Sequence, residues 1–176
     1  LVIENYLRSL NFGTKYLYQT LPRILTLWLD LGAQVDKAPE GKVSLSRELH
    51  RRRVEQLGLL HKFLDKYITR LPAYVFYTAL PQIVARIAHP NVNVFERLTH
   101  IIIRVVQAYP QQALWSLIGV MTTKQASERK ARGTQILQTL RNTSRKAESG
   151  SYDMKHLLRA AEKLSEQLLL ACTNGD

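Results

Sequence analysis

Ser44–Arg70 reads SLSRELHRRRVEQLGLLHKFLDKYITR, and this stretch decides the fold class. Leu45, Leu49, Leu57, Leu60, Leu64, Tyr67 and Ile68 recur close to every 3.6 residues, and Leu71 continues the stripe. Charged and polar residues fill the other side. The spacing predicts one long amphipathic helix whose leucine stripe needs a core to lie on.

Working outward, the same period returns in block after block. Upstream, Leu1–Phe12 and Thr14–Gln34 read as helices, the second with Leu21-Pro22 opening the apolar part Ile24, Leu25, Leu27, Trp28, Leu31. Pro39 and Gly41 break both periods and place a loop at about 35–43. Downstream, Pro72 opens a helix that reaches His89, with Pro81 inside it as a kink or restart. Asn93 with Glu96 three residues on forms a capping pair for Val94–Ala108. Pro110 opens Gln111–Met121. Lys124–Arg145 is basic and helical, Ser149-Gly150-Ser151 marks a linker at about 146–152, and Met154–Cys172 is the last helix.

Strand signals are weak, with no sustained alternation and no Asn-Gly or Asp-Gly turn between apolar runs. About eight helices in antiparallel pairs point to an all-α architecture, either a HEAT-like α-solenoid segment or an irregular bundle. An internal echo supports the solenoid: Leu21-Pro22, Leu80-Pro81 and Tyr109-Pro110 each set a large apolar residue and a proline before an apolar helix. Residues 1–176 are read as one helical unit.

The chain's 176 residues are too few for a multidomain enzyme, and 45% apolar content is enough to build a core. No apolar run approaches the ~20 residues that span a bilayer, so no membrane partner is expected. The single cysteine, Cys172, excludes a disulfide framework and fits a reducing compartment. Twenty-five Lys and Arg against fourteen acids give +11, which favours an acidic partner. The chain opens on Leu1 rather than Met and reads as an excised piece of something longer.

No catalytic constellation emerges. The five histidines include no pair one helical turn apart, and His50 and His61 read as residues of solvated helix faces. The glycines form no phosphate-cradling loop, so no ATP hydrolysis is expected. Accordingly, no catalytic, cofactor-binding or metal-ligating residue is assigned. Two basic runs form a candidate contact face, with Arg51 and Arg52 in the first and Lys124, Arg129, Lys130 and Arg132 in the second. Such a face could track phosphates, but no aromatic residue interleaves the second run to stack bases. Solvation, or an acidic neighbour, is the preferred reading. Within the first run Arg53 stands four residues from both Leu49 and Leu57. It is expected to pair with an acid or cap helix carbonyls while Arg51 and Arg52 reach solvent. Thirteen of the fourteen aromatics, all but Tyr152, stand among leucines and read as core, Trp28 and Trp115 in particular being expected between successive helix pairs. Thr134-Gln135 is a lone Ser/Thr-Gln dipeptide, close to chance.

Two strings go beyond generic helix text: Tyr16–Leu31 (YLYQTLPRILTLWLDL, with Pro22 and Trp28) and Ala108–Gly119 (AYPQQALWSLIG, with Tyr109, Pro110, Gln111, Gln112 and Trp115). They resemble the carboxy-terminal, HEAT-like part of the FAT region in phosphatidylinositol-3-kinase-related protein kinases. Tyr109–Trp115 followed by Met-Thr-Thr-Lys is similar to the ATR type within that family. Leu71–Phe76, Ile83–His89 and Leu168–Cys172 fall in the same order, so the resemblance spans the chain. The added charge of Arg129–Lys146 reads as lineage variation, fungal in kind.

The resemblance implies a non-catalytic scaffold that supports and positions a downstream kinase domain. The parent would be a nuclear serine/threonine kinase of the DNA-damage and replication checkpoint. Its partners would be that kinase domain, the other helical repeats of the same chain, an obligate subunit that senses replication-protein-A-coated single strands, and a second copy in a dimer. Mg-ATP would bind elsewhere in the parent, and no cofactor is expected here. The reading held beside it is a basic HEAT-like module that binds nucleic acid or a partner helix; direct nucleic-acid binding is not expected under the first reading.

Overall fold

A computed structural model describes residues 5–6, 8–9, 15–37, 44–121, 127–146 and 154–173. Beyond the helical residues 5–6 and 8–9, eight helices follow among the described residues: Leu17–Asp36 (α1), Ser44–Arg70 (α2), Ala73–Tyr77 (α3), Leu80–Ala85 (α4), Val92–Ala108 (α5), Pro110–Met121 (α6), Ser127–Lys146 (α7) and Met154–Thr173 (α8). No strand occurs among them. The loop expected at 35–43 begins only at Lys37, because α1 runs on to Asp36, and 38–43 lie outside the described residues. The linker at 146–152 lies outside them too, apart from Lys146, which ends α7.

Pairing follows chain order. α1 packs on α2, α3 and α4 on α5, α6 on α7, and α7 on α8. Each pair then stacks on the next, α1 on α3, α4 on α6 and α6 on α8 in one layer, α2 on α5 and α5 on α7 in the other. Helices in one layer run the same way. Pro22, Asp30 and Asp36 of α1 meet Gln82, Arg86 and Asn91 in ascending order, as Asp65 and Ile68 of α2 meet Arg97 and Arg104 of α5. Two layers of parallel helices, joined by antiparallel turns, make a HEAT-like α-solenoid. The three prolines of the sequence echo fall on α1, α4 and α6, successive helices of the first layer. The echo is therefore the solenoid's period, blurred by the broken second repeat.

That break has a local cause. Pro72 caps α3 in an extended conformation, and α4 restarts at Leu80 with Pro81 in its first turn, where the absent N–H is unneeded. Pro81 restarts a helix rather than kinking one. Asn91, not Asn93, caps α5, its side-chain oxygen accepting the Val94 amide proton at 3.1 Å. Asn93 and Glu96 have the right spacing, but α5 has already begun at Val92. One contiguous core runs from Leu17 on α1 to Leu158 on α8.

Candidate functional site

The joint between the first two repeats is a buried polar seam. Trp28 is fully buried, as its place among Ile24, Leu25 and Leu29 predicts, and its indole N–H donates to Nε2 of His61 at 3.0 Å. The rings meet edge to face, 6.1 Å apart. His61 is therefore buried on the core side of α2, not solvated as its sequence context suggested. Burial, aided by the nearby positive charge of Arg97 and opposed by Asp65, lowers its pKa to about 4.

His89, also buried, closes the seam. Its Nδ1 accepts the Asn91 amide proton at 3.1 Å, so the ring proton sits on Nε2, which donates to the Leu29 carbonyl at 2.9 Å. The Asn91 side-chain amide donates to Asp36 at 2.8 Å. Gly32 lets α1 come this close, because a Cβ there would stand 2.7 Å from Val94 Cγ2 and 3.0 Å from His89 Cε1. Sequence reading missed both histidines. For His89 the available signal was its place just before Pro90, which is not specific; for His61 it was only its helical spacing from Leu57, Leu64 and Ile68.

The Tyr109–Trp115 string occupies the α5–α6 corner. Tyr109 ends α5 and its ring packs 5.0 Å from that of Tyr77. Pro110 is the first residue of α6, Gln111 and Gln112 are exposed, and Ala113 and Leu114 enter the core. Trp115 does not. It is 52% exposed, standing on the outer surface of α6 between two clefts shared with α8, one against Leu157, Ala161 and Leu164, the other against Ser165, Leu168 and Cys172. The one-in-four spacing Gln111–Trp115–Gly119 sets a face of α6 that no described helix covers. Tyr16, Tyr18, Tyr74 and Tyr77 are likewise exposed rather than core.

The candidate basic face does not form one surface. Arg51 and Arg52 reach solvent on α2 and both donate to Glu48, at 3.0–3.1 Å. The Arg51 and Arg52 guanidinium groups hold that carboxyl below its ordinary range. Arg129 and Lys130 are exposed on α7, which does not stack directly on α2. Arg132 lies over the Phe95 ring, 4.2 Å from its centre, and so ties α7 to α5. Lys124 lies outside the described residues. Arg53 is exposed, and among the described residues no acid or carbonyl receives its guanidinium. The expected anchor is instead Arg97 on α5, which donates to Asp65 at 2.7 Å and to the Asn93 carbonyl at 2.9 Å.

The seam is a set of buried hydrogen bonds between helices, and the α6–α8 clefts are mainly apolar. Residues 59–163 match the family of the serine/threonine-protein kinase ATR-like HEAT repeats. The chain belongs to that family. It is 35% identical to protein kinase rad3 of Schizosaccharomyces pombe over 97% of its own length and 7% of that protein's. It is 37% identical to the serine/threonine-protein kinase ATR of Drosophila melanogaster over 66% of the chain and 4% of the kinase. To the ATR of Oryza sativa subsp. indica it is 33% identical over 97% and 6%. The chain thus spans less than a tenth of the length of these relatives, and it is a HEAT-repeat segment of an ATR-type kinase. Yeast, fly and rice proteins all match, so the similarity singles out no fungal origin. No solved structure matches the chain. None of its described helices is long and apolar enough to cross a membrane.

Proposed function

We infer that this segment is a non-catalytic scaffold, a stretch of solenoid that supports and positions the kinase domain of a nuclear DNA-damage and replication checkpoint kinase. The observation that carries the reading is the polar seam. Leu29, Asp36, His89 and Asn91 bolt the first repeat to the second with directional bonds, as a part that must hold a fixed shape requires. Under this reading Mg-ATP and the reacting groups belong to another part of the parent. The contacts of the segment are the kinase domain and neighbouring repeats, with the obligate checkpoint subunit and a second parent copy further out. The nucleic-acid reading draws less support, because Arg51, Arg52, Arg132 and Arg141 are already engaged by Glu48, Phe95 and Glu162.

In the whole kinase, His89→Ala should loosen α5, seen as faster amide exchange there, and lower kcat for a peptide substrate with KM for ATP unchanged. Full kcat in a kinase whose α5 amides exchange freely at the assay temperature sinks the reading.

A further inference from the structure

The chain has two methionines, and the fold treats them differently. Met154, in the first turn of α8, is buried, with 7% of its surface exposed. Met121 ends α6, is half-buried, and packs against the edge of the core. Its side chain lies across Gly133 of α7. A Cβ on Gly133 would stand 2.5 Å from the Met121 sulfur and 3.2 Å from its Cε, well inside ordinary contact. The thioether therefore fills the notch that Gly133 leaves in α7.

Gly133 lies inside a helix, where glycine is weaker than alanine. Seating Met121 is the use that offsets this weakness. The seat also bears on the next joint, because the neighbouring Arg132 lies over the Phe95 ring of α5. A shift of α7 at Gly133 would move that contact as well.

We propose that Met121 is an oxidation site, whose sulfoxide leaves the Gly133 notch and loosens the α6–α7 joint in a reversible way. The oxidant is a hydroperoxide. A sulfur lone pair attacks one peroxide oxygen, and the O–O bond breaks as the S–O bond forms. The other oxygen leaves as water or an alcohol, carrying off the attacked oxygen's proton. Sulfur gives up two electrons and the peroxide gains them. On the Gly133 side the notch has no room for the added oxygen, since the sulfur already stands where a side chain would begin. A sulfoxide oxygen is also a polar acceptor that loses its water on burial. The oxidised side chain turns out to solvent, and its packing on α7 goes with it. Met154 is screened from the oxidant until α8 opens.

The test uses the full 176-residue chain carrying Cys172→Ser, so that the exposed thiol does not compete for oxidant. Hydrogen peroxide is added, and peptide mass spectrometry follows each methionine. Met121 is expected to oxidise about fivefold faster than Met154, or more. Its sulfoxide should lower the melting temperature by several degrees and speed amide exchange in α7. Methionine sulfoxide reductase with dithiothreitol should restore both. Met121→Leu keeps the volume without the sulfur, so peroxide at a dose that spares Met154 should leave its melting temperature unchanged. Gly133→Ala should expel Met121 and speed its oxidation severalfold; if that variant does not fold, Met121→Leu decides. Four results overturn the proposal: Met154 oxidising as fast as Met121, a Met121 sulfoxide that leaves melting and α7 exchange unchanged, an equal loss in Met121→Leu, or a folded Gly133→Ala in which Met121 oxidises no faster.

Discussion

The Trp28 indole N–H and His61 Nε2 form a 3.0 Å hydrogen bond between α1 and α2, inside the core. The bond requires a lone pair on Nε2 and therefore a neutral ring accepting at that atom. Trp28→Ala removes both the ring's packing and this donor, and should cost about 3–5 kcal/mol. Trp28→Phe keeps much of the volume but leaves a buried acceptor unmet, for about 1–3 kcal/mol. Chemical denaturation of the two variants checks the order.

The same bond sets a pH dependence. The His61 pKa is depressed from 6.5 to about 4 in the folded chain, so the unfolded chain takes up the proton first. This group's contribution is fully present above about pH 6.5, falls as pH drops, and levels off below about 4. Melting temperature measured from pH 7.5 to 4 should decline more steeply in the natural chain than in His61→Phe. Parallel declines would remove His61 as the cause.

Gly32 and Gly58 should respond oppositely to alanine. At Gly32 the added carbon meets buried Val94 and His89, and overpacking there should cost about 1–3 kcal/mol. At Gly58, inside α2, nothing lies within 4 Å, so alanine should add about 0.5–1 kcal/mol of helix stability. Thermal melts of the two single variants decide this. A loss at both would mean that α2 is not helical around Gly58.

Two tryptophans with opposite surroundings give a separable optical signal. Acrylamide should quench Trp115 readily and Trp28 hardly at all, so the Stern–Volmer plot should curve downward. Trp115→Phe should straighten it, shift emission to the blue and leave stability within about 0.5 kcal/mol.

Arginine sensitivity should follow burial. Arg97, 19% exposed and bonded to Asp65 and the Asn93 carbonyl, holds the second layer together. Its replacement by alanine should lower the melting temperature by several degrees, whereas Arg53→Ala should leave it within error. Equal shifts would contradict the geometry of α2.

The helices were legible because the period of Leu57, Leu60, Leu64 and Ile68 is a property of the chain alone. What lay beyond sequence was cover. Leu49 and Trp115 keep the rhythm of core residues, yet α1 and α5 stop short of the first, and no described helix lies over the second. Periodicity names a face; only the lengths of neighbouring helices say where burial ends. Asn91 was missed as a cap for a related reason. Its choice over Asn93 depends on the His89 ring that receives its amide proton, and that ring is fixed from α1, 60 residues away.

The polar seam at the first joint also has a mechanical meaning. Among the described residues, the directional bonds between stacked pairs gather where Gln82, Arg86, His89 and Asn91 meet α1 and where Arg97 and Arg104 meet α2. Greasy surfaces slide at small cost, whereas aimed hydrogen bonds resist shear. In a solenoid loaded from its two ends, the joint between the first two repeats would therefore resist shear and carry torque from α1 and α2 into α5.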